Sequence, residues 1–270
     1  MIGGYPANIE RFRGFADRYD RYRPAPPAVL VDLLTQLAQA PRPKLAVDIG
    51  SGTGLATRLW AGRAEKTVGI EPNGDMRRQA EAATAALGIA DVSYCEGTST
   101  HTGLPDGCAD IVTCVQALHW MDPAPTFAEV ARILRPGGVF AACDCDWPPT
   151  MHRQAEAAYA EFSRGVHRLE AKLGVSRDVR KWPKAEHLIR MAGSGQFLHV
   201  KEILLHQVEP GSAERLVGLA TSMGGVAGLL KQGLSAEKIG LTRLREAAER
   251  FLGSEPRPWY FSYRARVGLT

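Results

Sequence analysis

Short apolar runs alternate with amphipathic stretches from residue 44 onward. Residues 45–49, 67–71, 92–95, 110–115 and 139–143 are runs of strand length. They are mostly apolar and read as short buried strands. Residues 53–60, 75–87 and 125–134 between them carry helical spacing, the second closed by Gly88 and the third by Arg135-Pro136-Gly137-Gly138. Strands alternating with helices predict βαβ units and a parallel sheet. Ahead of this block, residues 8–22 read as a polar, aromatic-studded helix, broken by Pro24, Pro26 and Pro27, and residues 28–40 as an apolar helix. After Trp147 the alternation stops. Residues 151–173, 178–192, 212–231 and 235–252 read as helices, and residues 198–206 and 259–267 as two further strands.

Composition narrows the class. The 270 residues are 45% hydrophobic and 23% charged, near the globular norm, which excludes a disordered or collagen-like chain. No repeat of solenoid length and no run of ~18 apolar residues appears. Residues 1–6, MIGGYP, lack the basic start and apolar run of a secretory leader, so a cytoplasmic protein is expected. The net charge of +4 is too mild to imply nucleic acid, and the Arg residues, 25 of the 33 basic ones, scatter along the chain. Cys95, Cys108, Cys114, Cys143 and Cys145 lack the Cys-x-x-Cys spacing of zinc and redox sites. Free thiols are expected, and no metal.

The chemistry concentrates after the first strand. Val47-Asp48-Ile49-Gly50-Ser51-Gly52-Thr53-Gly54 puts three glycines at alternate positions between a strand and the next element. Such a turn lets a ligand approach the backbone at the carboxyl end of the sheet. Glu71, 17 residues after Gly54 and at the end of the second strand, is placed to accept hydrogen bonds from ribose hydroxyls. Together they point to a nucleoside-containing cofactor. The dinucleotide pattern G-x-G-x-x-G would need its third glycine at position 55, which is Leu, and there is no Walker lysine. A pyrophosphate ligand is therefore disfavoured.

Asp48-Ile49-Gly50-Ser51-Gly52-Thr53-Gly54 resembles the first motif of class I methyltransferases that use S-adenosylmethionine. Four further blocks follow in order: Gly69-Ile70-Glu71-Pro72-Asn73; Gly97-Thr98-Ser99 with Gly103-Leu104-Pro105-Asp106; residues 109–120; and Leu134-Arg135-Pro136-Gly137-Gly138. The resemblance covers residues 44–145. It implies an α/β, Rossmann-like seven-stranded sheet in the order 3-2-1-4-5-7-6, its last strand antiparallel, with a helical cap. Residues 1–43 would lie over the cofactor site, 44–147 would form the cofactor-binding core, and 148–270 would supply cap inserts and the last two strands, all in one structural domain. The cap would roof the substrate pocket.

The resemblance also implies residue roles. Asp48, Gly50, Ser51, Gly52, Gly54 and Pro72 would line the cofactor, Glu71 would hold the ribose, and Met76 or Asn73 would border the adenine. Gly97, Thr98 and Ser99 would form the adenine-side loop, the Gln116 backbone would lie near the sulfonium, Ala117 would line the cofactor, and Trp120 would pack over it or serve as a substrate platform. Tyr19, Tyr22 and Arg23 would fold over the cofactor, Arg23 meeting its carboxylate. His119 is the candidate general base, because it follows the fourth strand and titrates near neutrality when unperturbed. The opposed reading makes it a wall of the pocket. His152 and His167 on the cap, and Trp147 and Trp182, would either face a substrate chamber or pack in the core.

Ala117-Leu118-His119-Trp120 and Tyr22-Arg23-Pro24 resemble a branch acting on small molecules, and the signature of base-amine methylation is absent. The expected protein is an S-adenosylmethionine-dependent methyltransferase with a small-molecule substrate, no nucleic-acid or membrane partner, as a monomer or homodimer. The rival readings are a nucleic-acid methyltransferase, a cofactor-binding cyclase or scaffold that does not methylate, and a nicotinamide oxidoreductase.

Overall fold

The computed structural model describes residues 5–270; the leader reading rests partly on residues 1–4, outside the described residues. Seven strands form one sheet: β1 Leu45–Ile49, β2 Lys66–Ile70, β3 Val92–Cys95, β4 Ala109–Val115, β5 Leu134–Cys145, β6 Lys201–Gly211 and β7 Arg257–Leu269. Their order is β3-β2-β1-β4-β5-β7-β6. The first five strands pair in parallel, and β7 runs antiparallel to both β5 and β6. This is the expected topology.

Helices cover both faces. They are α1 Pro6–Glu10, α2 Ala16–Tyr22, α3 Val29–Leu37, α4 Gly74–Ala86, α5 Pro123–Ile133, α6 Arg153–Leu173, α7 His187–Ala192, α8 Ala213–Thr221, α9 Gly224–Lys231, α10 Ala236–Ile239 and α11 Leu241–Phe251. The pleat sends alternate residues to opposite cores. Ala46, Ile111, Val139, Ala141 and Cys143 join a core that includes Leu34, Phe162, Leu216 and Leu244 from α3, α6, α8 and α11. Val47, Ile49, Val112, Phe140 and Ala142 join the other, against Phe127 and Val130 of α5.

Several elements differ from the sequence expectation in extent. The helix expected over 8–22 is two helices with a turn between them, and residues 53–60 give only a 3-10 turn, Thr57–Trp60. There the Thr57 hydroxyl donates to the Asp48 carboxylate at 2.7 Å, and Gly54 is pressed under the Tyr94 hydroxyl. The helix expected over 178–192 shrinks to a 3-10 turn and α7. The one expected over 212–231 splits at Ser222, whose hydroxyl donates to the Leu219 carbonyl at 2.8 Å and competes with helix continuation. The one expected over 235–252 splits at Gly240. β6 extends to Gly211 despite Pro210, because it is paired along its full length with β7 and its other side is a sheet edge, where proline is tolerated.

Candidate functional site

A cavity of about 520 Å³ opens at the carboxyl ends of β1, β2 and β4. Gly50 is the first turn residue. A Cβ there would lie 2.6 Å from Met121 Cε and 2.7 Å from Ala117 Cβ, so the loop after β4 packs directly onto the backbone. Gly52 is the opposite case: its φ is +56°, and nothing lies within 4 Å of where its Cβ would be. The backbone is therefore bare toward the cavity, as close approach by a ligand requires.

Two buried carboxyls face this turn. Glu71 Oε2 accepts from Gly52 N–H at 2.9 Å and Oε1 from Asn73 N–H at 2.8 Å. Burial pushes the Glu71 carboxyl up to about 7, the backbone donors opposing it only in part. Asp48 accepts from Thr57 and Thr113 hydroxyls at 2.7 and 2.8 Å, and burial raises it to about 6. Carboxyls held this far up favour a ligand that brings hydroxyl donors or positive charge. S-adenosylmethionine carries both, and the open Gly52 backbone leaves room for it.

Helices α1 and α2 roof the cavity. Asn8 is buried and donates to the Trp120 and Arg180 carbonyls, both at 2.8 Å, while accepting from Arg180 N–H at 2.9 Å. Asn73 caps α4 and donates to the Ile9 carbonyl at 2.8 Å, tying the roof to the floor. Phe12 and Trp120 meet edge to face, with centroids 5.5 Å apart. Residues 1–43 were expected over the cofactor and a cap from 148–270 over the substrate; among the described residues, those that line this cavity all lie at or before Trp147. The elements of 148–270 act from behind it: Ser222 accepts from Arg23 Nε at 2.9 Å, and Glu170 pairs with Arg11 at 2.7 Å.

Of the residues singled out in the sequence, Asp48, Gly50, Ser51, Gly52, Glu71, Pro72, Met76, Thr98, Ser99, Gln116, Ala117, Trp120 and Arg23 line the cavity. The Arg23 guanidinium sits against the Tyr19 and Trp147 rings, 5.3 and 5.1 Å from their centroids, and has no carboxylate partner among the described residues. Others stand elsewhere. Tyr22 turns outward to Glu214, its hydroxyl donating at 3.0 Å. Gly54 lies under Tyr94, and Gly97 backs onto Ile70, where a Cβ would be 2.7 Å from Cγ2. His119 lies outside the cavity lining. Of the other histidines, His152 stacks on Phe251, and Trp182 packs against Tyr5.

His119 belongs to a buried polar cluster. Its Nδ1 is 3.7 Å from Asp144 Oδ1, beyond hydrogen-bond reach, and His187 Nε2 is 3.8 Å from Asp144 Oδ2. Burial works against the Asp144 carboxylate, yet the Lys184 ammonium against it holds it below the usual range. Lys184 and Arg266 each stand 2.9 Å from it. Burial depresses His119 and His187, each to about 4, so both are neutral near pH 7. A base whose conjugate acid titrates at about 4 is a weak proton acceptor, which counts against the general base, and a ring outside the cavity lining does not fit the wall either.

The same shifts predict acid sensitivity. Both imidazoles titrate lower in the fold than their ordinary 6.5. Between about pH 6.5 and 4 the unfolded chain binds protons that the fold excludes, so stability falls as pH is lowered through that window. Urea unfolding at pH 7, 5.5 and 4.5 should show His187→Phe losing less stability than wild type, by on the order of 2 kcal/mol. Equal losses would contradict a neutral buried His187.

Asn8, Asp144 and Lys184 were not legible as parts of this region. Each is an isolated polar residue in sequence, and only the packing of the roof and of segment 180–187 brings them together.

A family model described as a methyltransferase domain matches residues 47–142. An uncharacterised methyltransferase of Mycobacterium tuberculosis is 37% identical over 123 residues, 44% of this chain and 46% of the relative. The chain thus spans about half the length of that relative. The malonyl-[acyl-carrier protein] O-methyltransferase of Geobacter sulfurreducens is 26% identical over 271 residues, 95% of each chain. A solved structure from Anaeromyxobacter dehalogenans, provisionally assigned as a type II methyltransferase, superposes with a TM-score of 0.62 at 26% identity, covering 92% of this chain and 98% of that one.

Proposed function

We propose, from the premise that the chain belongs to the class I S-adenosylmethionine-dependent methyltransferases, that it methylates a small molecule held beside the cofactor in the roofed cavity. The observation that carries this reading is the shape and lining of the site. The crevice at the strand ends continues beneath α1 and α2 into a half-open, largely apolar space bordered by Tyr19, Trp120 and Trp147. A concave, mostly apolar chamber with few polar groups suits a small ligand. A nucleic-acid substrate would ask for an open basic face.

Glu71 would hold the ribose hydroxyls, the bare backbone at Gly52 would border the methionine portion, and Thr98, Ser99 and Met76 would border the adenine. Arg23, whose guanidinium has no acid partner, would receive the cofactor's carboxylate. When bound, S-adenosylmethionine supplies a methyl group already activated by its sulfonium. The chain's own contribution would then be to place the acceptor in line and to exclude water, a part the aromatic residues over the cavity would take. His119, neutral and outside the cavity lining, shapes the loop that carries Gln116 and Trp120. The Geobacter relative, matched along its length, supports methyl transfer by this architecture.

The test is S-adenosylhomocysteine release from S-adenosylmethionine, with fractionated small metabolites, tRNA and duplex DNA as acceptors. Turnover confined to small-molecule fractions is expected. Turnover with either nucleic acid alone would overturn the assignment.

A further inference from the structure

The loop after β4 carries an uncommon backbone. Gln116 has φ +56°, a left-handed conformation that a non-glycine residue keeps only when its surroundings fix it. Two contacts do so. Gln116 N–H donates to the Cys143 carbonyl at 2.8 Å, and its side-chain Oε1 accepts from Lys184 Nζ at 2.8 Å. The ammonium only donates, so it selects the oxygen of the amide and fixes which way the side chain turns. Lys184 is anchored in turn by Asp144 Oδ1 at 2.9 Å. Its segment is tied to the same loop a second time, through Trp182 N–H and the His119 carbonyl at 2.9 Å.

The other side of this loop is the cavity. Gln116 and Ala117 both line it, and Ala117 Cβ is 2.7 Å from where a Cβ on Gly50 would stand. The turn at 116–117 and the glycine turn after β1 therefore pack on each other without slack. A shift in one displaces the other.

We propose that Lys184 is a positioning residue for the cofactor site: braced on Asp144, it pins Gln116 in its left-handed turn and so holds the cavity floor against the glycine turn. The inference rests on the cofactor reading above. It gives segment 180–187, which supplies no lining residue, a defined effect on affinity.

The test is a double-mutant cycle read by calorimetric S-adenosylhomocysteine binding, with thermal unfolding recorded for each variant. Lys184→Met should weaken binding about 10-fold in the wild-type background. In a Gln116→Gly background, where glycine takes the left-handed turn unaided, the same change should cost less than about twofold. Equal penalties in both backgrounds, or none in the first, would overturn the proposal, because a merely structural lysine would act alike in both. If Lys184→Met does not fold, Lys184→Gln is read by the same two criteria. No binding by the wild-type chain would overturn the cofactor reading, and this inference with it.

Discussion

A Gly52→Val chain is expected to fold and yet to bind S-adenosylhomocysteine roughly 100-fold more weakly than wild type, a loss of ~2.7 kcal/mol at ~1.4 kcal/mol per decade. Nothing surrounds the position a Cβ would take, so no core packing is disturbed. The added side chain projects into the space where the backbone is otherwise bare. Two costs must be separated, since φ is +56° and any L side chain there is strained by about 1–2 kcal/mol. Gly62 supplies the control: its φ is +69°, it has equally open surroundings, and it is not among the cavity-lining residues. Gly62→Val should lose similar stability and keep full affinity. If both variants bind alike, Gly52 does not border the ligand.

Glu71→Ala is expected to weaken the same ligand by about 10- to 150-fold, because hydrogen bonds to a charged acceptor contribute roughly 1.5–3 kcal/mol. The structure adds a pH signature. Burial holds the free carboxyl at about 7, whereas hydroxyl donors from a ligand favour its ionised form. Below about pH 7 the ligand must displace a proton, and above it none is displaced. Affinity should therefore rise with pH through that region in wild type and stay flat in Glu71→Gln. A pH-independent dissociation constant in wild type would show that Glu71 does not meet the ligand through its carboxylate.

The core of the fold was readable because its determinants are local. Strands 45–49 and 110–115 are mostly apolar runs of strand length, and the glycine turn follows the first at once, so pattern and punctuation agree. Glu71 was readable for the same reason, as an acid at the end of a strand. The misplacements arise where tertiary contacts outweigh local pattern. Tyr22 and Tyr19 look alike in sequence, but Glu214 draws one outward while the other lines the cavity. His119 sits in sequence between cavity-lining Ala117 and Trp120, yet the buried Asp144 side is where its ring lies. Gly54 and Gly97 belong to the recognisable motifs but serve packing, under Tyr94 and against Ile70. The segment ahead of β1 was read as lying over the cofactor, but nothing in the pattern shows how the short helices α1 and α2 are held there. Their placement depends on Asn8 and Asn73 bonding across the cavity.

Cofactor identity is the claim on which the rest depends, and titration calorimetry of the full chain with S-adenosylhomocysteine and with NAD tests it directly. The glycine spacing, Leu55 and the open Gly52 backbone predict saturable binding of S-adenosylhomocysteine and no heat from NAD; saturable NAD binding with no response to S-adenosylhomocysteine would contradict the account.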